Sequence, residues 1–178
     1  MTASSAPGSS APGSSAPGRS AQNRPVQIRA MEPEDLPAVL AIESESQPNP
    51  WTEKIFIEEL AREWARLMVA VQAGTDGTPE VVAFCNYWLV ADELQLLNIC
   101  CSIAHRRQGH ANLLMQHMLD VAKGRSCRLI TLEVRVSNAG AIALYERYEF
   151  ASAGVRPGYY SDNQGDAKVM LLHLDSSE

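Results

Sequence analysis

The chain has no apolar run approaching the roughly 20 residues that span a bilayer, and it does not open on the basic-then-apolar pattern of a secretory signal. A membrane or exported protein is therefore not expected, and the chain reads as cytoplasmic. Cysteine is scarce: the four thiols, Cys85, Cys100, Cys101 and Cys127, show no C-x-x-C spacing, and the adjacent pair would project to opposite faces of a strand. Neither a disulfide framework nor a zinc site is indicated, and reduced core thiols are expected. His110 and His117 fall seven apart on one predicted helix without a third ligand, so no metal site is expected. The spacings G-x-G-x-x-G and G-x-x-x-x-G-K-S/T are both missing, which argues against a dinucleotide dehydrogenase and an NTPase.

What is present is 178 residues, 46% apolar, with a net charge of −6, enough material for one core and one domain. Residues 1–24 stand apart, because Ser-Ser-Ala-Pro-Gly recurs there three times and offers almost nothing to bury. This segment is expected to be a disordered tail, with the folded domain at 25–178. Arg19 and Arg24, without an acid beside them, raise a transit-peptide reading, but the Pro-Gly breaks prevent the amphipathic helix such a segment needs.

The segment 98–114 starts apolar and β-prone, turns basic at Arg106, and leads into a helical run with Leu113, Leu114, Met118 and Val121. A turn carrying Arg106, Arg107, Gln108 and Gly109 at a helix start aims free backbone N–H groups and the positive end of the helix dipole at one spot. Gly109 has no side chain to block close approach. That spot suits a pyrophosphate, although the residues alone also fit an ordinary loop with two solvated arginines. The spacing Arg106-x-x-Gly109-x-Ala111 resembles the Arg/Gln-x-x-Gly-x-Gly/Ala signature of the GNAT acetyltransferases, whose turn holds the pyrophosphate of acetyl-coenzyme A.

Segment 129–150 places a lone carboxylate, Glu133, near the end of an apolar strand and a tyrosine, Tyr145, on the next helix. Leu132-Glu-Val-Arg135, followed by Ser137-Asn-x-x-Ala141-Ile-x-Leu-Tyr145-x-x-x-x-Phe150, resembles the RimI branch of that family. That branch acetylates the N-terminal α-amine of a small-subunit ribosomal protein. Pro50-Trp51-Thr52 with Phe56 resembles the branch's Pro-Trp-Ser-x-x-x-Phe helix start, and Arg156-Pro-Gly-Tyr159-Tyr160 its Arg-x-x-Tyr-Tyr loop. The match runs in order over about 26–174.

The coarse order of elements agrees with a mixed α/β fold. A strand through Arg29 precedes a helix opened by Pro33, with Leu36, Val39 and Leu40 inward. Trp51 and Thr52 announce a second helix in which Phe56, Leu60, Trp64 and Leu67 recur at helical spacing, while Glu53, Glu58, Glu59 and Glu63 supply an acidic exterior. Strands at 67–72, 81–90 and 94–102 read as an antiparallel meander. Helix 108–123, strand 128–134, helix 139–148 and strands around Val155 and Val169 follow.

The resemblance implies a GNAT fold: a mostly antiparallel central sheet in which one parallel pair splays to admit coenzyme A, as ligands enter open α/β sheets at strand ends. It further implies that backbone groups of Ile99, Cys100 and Cys101 pair with the pantetheine arm. Arg107, Gln108, Gly109, His110, Ala111 and Asn112 would surround the pyrophosphate, and Asn138 would bond the arm farther along. Trp51, Tyr159 and Tyr160 would flank the acceptor.

The chemistry needs an amine to lose a proton and a thiolate to gain one. Glu133 at a partly desolvated strand end suits the first task, and Tyr145 the second. From the residues alone, Glu133 could instead form a salt bridge with Arg135 or Arg128, and Tyr145 with Ile142 and Tyr148 could be a plain core stripe. One departure from the family is Tyr148-Glu149-Phe150 where Leu-Gly-Phe is usual, so Glu149 takes the helix-terminating position at a cost on the order of 1 kcal/mol.

The resemblance implies an acetyl-coenzyme A-dependent enzyme acting on a protein N-terminus, a ribosomal protein above all, through a direct ternary complex. Metal, nucleic acid and membrane play no part in that reading, and the chain would act as a monomer. Acetylation of a small-molecule amine or a lysine is the competing enzyme reading, and a coenzyme A-binding module without turnover is the competitor from another class.

Overall fold

The computed structural model describes residues 25–160 and 165–174, so the proposed tail at 1–24 lies outside the described residues. Strand β1 (Val26–Ala30) leads through a single 3-10 turn (Pro33–Asp35) into α1 (Leu36–Ser46). Arg29 fixes this entry by donating from both guanidinium nitrogens to Asp35, at 2.6 and 2.8 Å, while the Glu32 N–H donates to the same carboxylate. The inward stripe of α1 is Leu36, Val39, Ile42 and Glu43, so an acid occupies a position that an apolar pattern would give to a hydrophobe.

Helix α2 (Glu53–Leu60) is shorter than its sequence pattern suggests. Trp64 and Leu67 are not on it: the chain turns at Ala61 and Arg62, and β2 (Ala65–Ala73) begins at once. Long-range pairing explains the early stop, because the Trp64 carbonyl accepts from the Leu89 N–H at 2.8 Å and Ala65 already pairs with Trp88. The inward residues of α2 are Phe56 and Glu59, and Glu59 is therefore not part of an acidic exterior. Its carboxylate accepts from the Trp88 indole N–H at 2.6 Å and pairs with Arg62 at 3.0 Å.

Strands β3 (Pro79–Val90) and β4 (Glu93–Cys101) complete the antiparallel meander, followed by α3 (His110–Gly124), β5 (Leu129–Arg135), α4 (Ala139–Arg147), β6 (Ala151–Tyr160) and β7 (Gly165–His173). They form one seven-stranded sheet in the order β1-β2-β3-β4-β5-β7-β6, in which only β4 and β5 run parallel. Leu114, Met115, Met118, Tyr145 and Phe150 from the α3 and α4 side pack on one face, and Leu36, Val39, Ile42 and Phe56 from the α1 and α2 side on the other. Among the described residues no helix is long and apolar enough to cross a membrane.

A bulge in β4 prepares the site. Pairing with β3 shifts register between Asn86 and Tyr87, leaving Leu97 as the extra residue. The alternation of faces flips there. Leu94 and Leu96 join the α3 side before the bulge, whereas Cys100 joins the α1 side after it and Cys101 packs toward α3. The adjacent cysteines thus face opposite ways, as their spacing predicts.

Candidate active site

The parallel ladder runs from Glu93 with Leu129 to Leu96 with Leu132 and stops, while β4 continues to Cys101 and β5 to Arg135. Beyond the bulge the two strands separate. A cavity of about 510 Å³ occupies the gap and is lined from both faces of the sheet: Glu43 and Trp51 on the α1 side, Leu132, Val134 and Tyr145 on the α4 side. Seven of the residues singled out from the sequence line it together: Trp51, Ile99, Glu133, Asn138, Tyr145, Tyr159 and Tyr160.

Glu133 faces the α1 side, because Ile130, Leu132 and Val134 take the alternate positions in the core. Its side chain is 13% exposed and pairs with the Arg156 guanidinium at 3.0 Å. The salt bridge that the sequence allows for this carboxylate therefore exists, but with Arg156 rather than with Arg135 or Arg128. Arg128 is held by Asp92, and the Arg135 guanidinium lies 3.8 Å from the centre of the Tyr160 ring. Tyr159 and Tyr160 meet edge to face at 5.1 Å and close the wall beside this pair.

Tyr145 comes from the other face. Asn138 starts α4 by accepting the Ala141 N–H on Oδ1 at 3.1 Å, which sets the phase that turns Tyr145 toward the gap. The ring packs on Phe150 at 5.9 Å and is 6% exposed, so Tyr145 belongs to the core and lines the cavity at once. Burial pushes its phenol well above the ordinary value, and it stays protonated at any working pH. The same burial pushes the nearby Cys100 thiol up to about 12. A thiolate released into such surroundings is destabilised in the same direction, so a protonated phenol remains a matched donor for it.

The remaining expected cofactor residues lie outside the cavity, where β4 gives way to α3. Arg107 and Gly109 both have positive φ, 63° and 92°, and a Cβ built on Gly109 would meet nothing within 4 Å. The approach to this turn is open, as a pyrophosphate requires. Arg106 stays within the protein, donating to the Cys101 carbonyl at 3.4 Å and to Ser46 Oγ at 3.1 Å, and Gln108 donates to the Ala104 carbonyl at 3.2 Å. The Ala111 N–H is directed at the Cys101 thiol. Asn112 accepts from Arg147 on its side chain and from Tyr148 Oη on its carbonyl, both at 3.1 Å, and so ties the first turn of α3 to the end of α4.

His110 turns inward against His105, with ring centroids 6.2 Å apart. It is 4% exposed, and neither ring nitrogen has a partner among the described residues. Burial, and then His105, hold it below its ordinary value. The Cys100 thiol is engaged within the protein, directed at Glu43 and Asn98. At His110 and Cys100, then, backbone groups are what the turn and the strand can offer a ligand.

The sequence reading did not include Glu43 in the site. This carboxylate is 1% exposed, lines the cavity, and accepts from the Trp51 N–H at 3.0 Å and the Asn98 amide at 2.8 Å. A glutamate on the same helical stripe as Leu36 and Val39 was the available signal, since a charge on a core face requires partners.

Comparison with known proteins gives this geometry a lineage. Residues 36–150 match the Acetyltransferase (GNAT) family. The ribosomal protein bS18-alanine N-acetyltransferase of Escherichia coli (strain K12) is 36% identical over 149 residues, covering 83% of this chain and 97% of that protein. The crystal structure of the ribosomal-protein-S18-alanine N-acetyltransferase from Escherichia coli superposes with a TM-score of 0.77 at 35% identity, covering 86% of this chain and 96% of that one. Ard1 from Thermoplasma volcanium superposes with a TM-score of 0.74 at 27% identity, covering 84% and 98%. With its one splayed parallel pair and its glycine turn at the start of α3, this chain belongs to the GNAT family of acetyltransferases.

Proposed function

We propose that the protein transfers the acetyl group of acetyl-coenzyme A to the N-terminal α-amine of another protein, by direct attack in a ternary complex. The observation that carries this reading is the convergence of Glu133 and Tyr145, from opposite faces of the sheet, on one cavity between splayed strands. Acetyl-coenzyme A supplies a thioester; a C–N bond forms at its carbonyl carbon as the C–S bond breaks. Glu133 takes the proton that the attacking amine loses, directly or through one water, and Tyr145 gives its proton to the departing sulfur.

Backbone groups of the turn 107–112 hold the pyrophosphate at the start of α3. The edge of β4 at Ile99, Cys100 and Cys101, where pairing with β5 has ended, offers strand-like bonds to the arm, and Asn138 adds its Nδ2. A backbone N–H near Cys101 stabilises the developing oxyanion. At the acceptor end, Trp51, Tyr159 and Tyr160 form walls suited to the extended backbone of an N-terminus. The Escherichia coli relative named for bS18 alanine supports a ribosomal protein beginning with Ala as the acceptor. In this reading the chain works in the cytoplasm as a monomer, with no metal or nucleic acid.

The test is thiol release from acetyl-coenzyme A with and without a peptide that begins with Ala. Peptide-dependent release is expected. Coenzyme A binding without release above background would make the protein a binding module instead.

A further inference from the structure

We propose that Arg156 is the positioning residue for Glu133, holding that carboxylate in one orientation at the cavity; the inference rests on the reading of Glu133 as the base. The two residues are not on neighbouring strands. Glu133 lies opposite Val169, and Arg156 opposite Ala167, so β7 runs between them and they are offset by one two-residue step. Two interstrand steps and that offset separate their Cα atoms by about 12 Å. A glutamate and an arginine that reach toward each other span that distance, and the planar guanidinium presents a fixed fork of N–H donors where lysine would present a mobile point charge.

The contact also depends on what lies beneath it. Ala167 is fully buried, and its methyl is small enough for the guanidinium stem to cross β7 and reach Glu133 Oε1 at 3.0 Å. The strand is shaped to keep the arginine there. Register is lost between Arg156 and Tyr160, Gly158 takes φ 62°, and its N–H donates to Asp166 Oδ1 at 2.9 Å. Tyr159, on this bulge, places its ring centre 5.9 Å from the guanidinium. Arg135, the nearer cation in sequence, is stacked over Tyr160.

Arg156 is 58% exposed whereas Glu133 is 13% exposed. An ion pair with one partner so exposed adds little to fold stability. What it does is local: it limits the rotamers of a carboxylate that lines the cavity. An incoming amine then meets an oriented acceptor.

The test uses the full-length chain with acetyl-coenzyme A and an Ala-initiated peptide. Arg156→Met should lower kcat about 10-fold and leave the acetyl-coenzyme A KM and the melting temperature essentially unchanged, and Arg156→Lys should restore less than half of the loss. In a Glu133→Gln background, Arg156→Met should add no further loss, because a residue that acts through Glu133 has nothing left to act on. Wild-type kcat in Arg156→Met, or an equal fold-loss in both backgrounds, would overturn the assignment. Wild-type turnover in Glu133→Gln alone would instead remove the base reading beneath it.

Discussion

Asn98 donates its side-chain amide to Glu43 Oε2 at 2.8 Å, and Trp51 donates its N–H to Oε1 at 3.0 Å, so one buried carboxylate on α1 fixes both β4 just past its bulge and the turn that carries Trp51 to the cavity. Removing the carboxylate leaves those donors buried without an acceptor. Glu43→Ala should therefore destabilise the fold by about 1–3 kcal/mol. It should also raise the peptide KM more than the acetyl-coenzyme A KM. Chemical denaturation and steady-state kinetics check the two halves separately, and an unchanged denaturation midpoint would contradict the first.

Gly109 combines φ 92° with open space where a Cβ would stand. Gly109→Trp strains the turn and puts an indole where the proposed pyrophosphate site lies open. Calorimetry should show weaker acetyl-coenzyme A binding in a variant that still melts cooperatively. Unchanged affinity would take the pyrophosphate away from this turn.

His110 gives a pH signature. Its folded-state value lies below the ordinary 6.5, so below about pH 6.5 the unfolded chain binds the proton that the fold refuses. The stability associated with neutral His110 is fully present above that pH and lost as pH falls through it. His110→Leu, which puts a non-titrating side chain in the same site, should flatten the decline of melting temperature as pH falls below about 6.5. Equal slopes in both proteins would show that the decline has another source.

Most strands and helices were legible from their period, as in the alternation of β5 and the Leu114, Met115 and Met118 stripe on α3. The end of α2 was not. Phe56, Leu60, Trp64 and Leu67 have helical spacing, yet Ala65 and Leu67 belong to a strand whose partner, β3, is remote in sequence. Local periodicity carries no information about that partner, and tertiary pairing outweighed it. The same limit applies within the site. Cavity residues such as Glu133 and Tyr145 stand out in short motifs, whereas the Glu133–Arg156 pair joins residues 23 positions apart across an intervening strand and becomes visible only once β5, β7 and β6 are in register.

Loss of either proposed proton carrier should act on chemistry rather than on binding. Glu133→Gln and Tyr145→Phe are each expected to lower kcat by roughly 10²-fold while sparing acetyl-coenzyme A affinity. Rapid-mixing kinetics under conditions where acetyl transfer is rate-limiting would check this. Wild-type rates in either variant would remove that residue from its role.

The most direct measurement concerns where the acetyl group goes. A reference α-amine titrates near about 8 and a lysine near about 10.4, so at about pH 7.5 roughly a quarter of the former but only about one in a thousand of the latter is neutral. In the proposed reading, a single carboxylate base at Glu133 and walls at Trp51, Tyr159 and Tyr160 favour the α-amine on both counts. A peptide beginning with Ala, followed by basic residues including one lysine, should therefore emerge with its acetyl group on the N-terminus when the product is mapped by tandem mass spectrometry. The same peptide with a blocked N-terminus should be modified far more slowly. Acetyl found predominantly on the lysine side chain, or equal rates for the free and blocked peptides, would contradict N-terminal acetyl transfer.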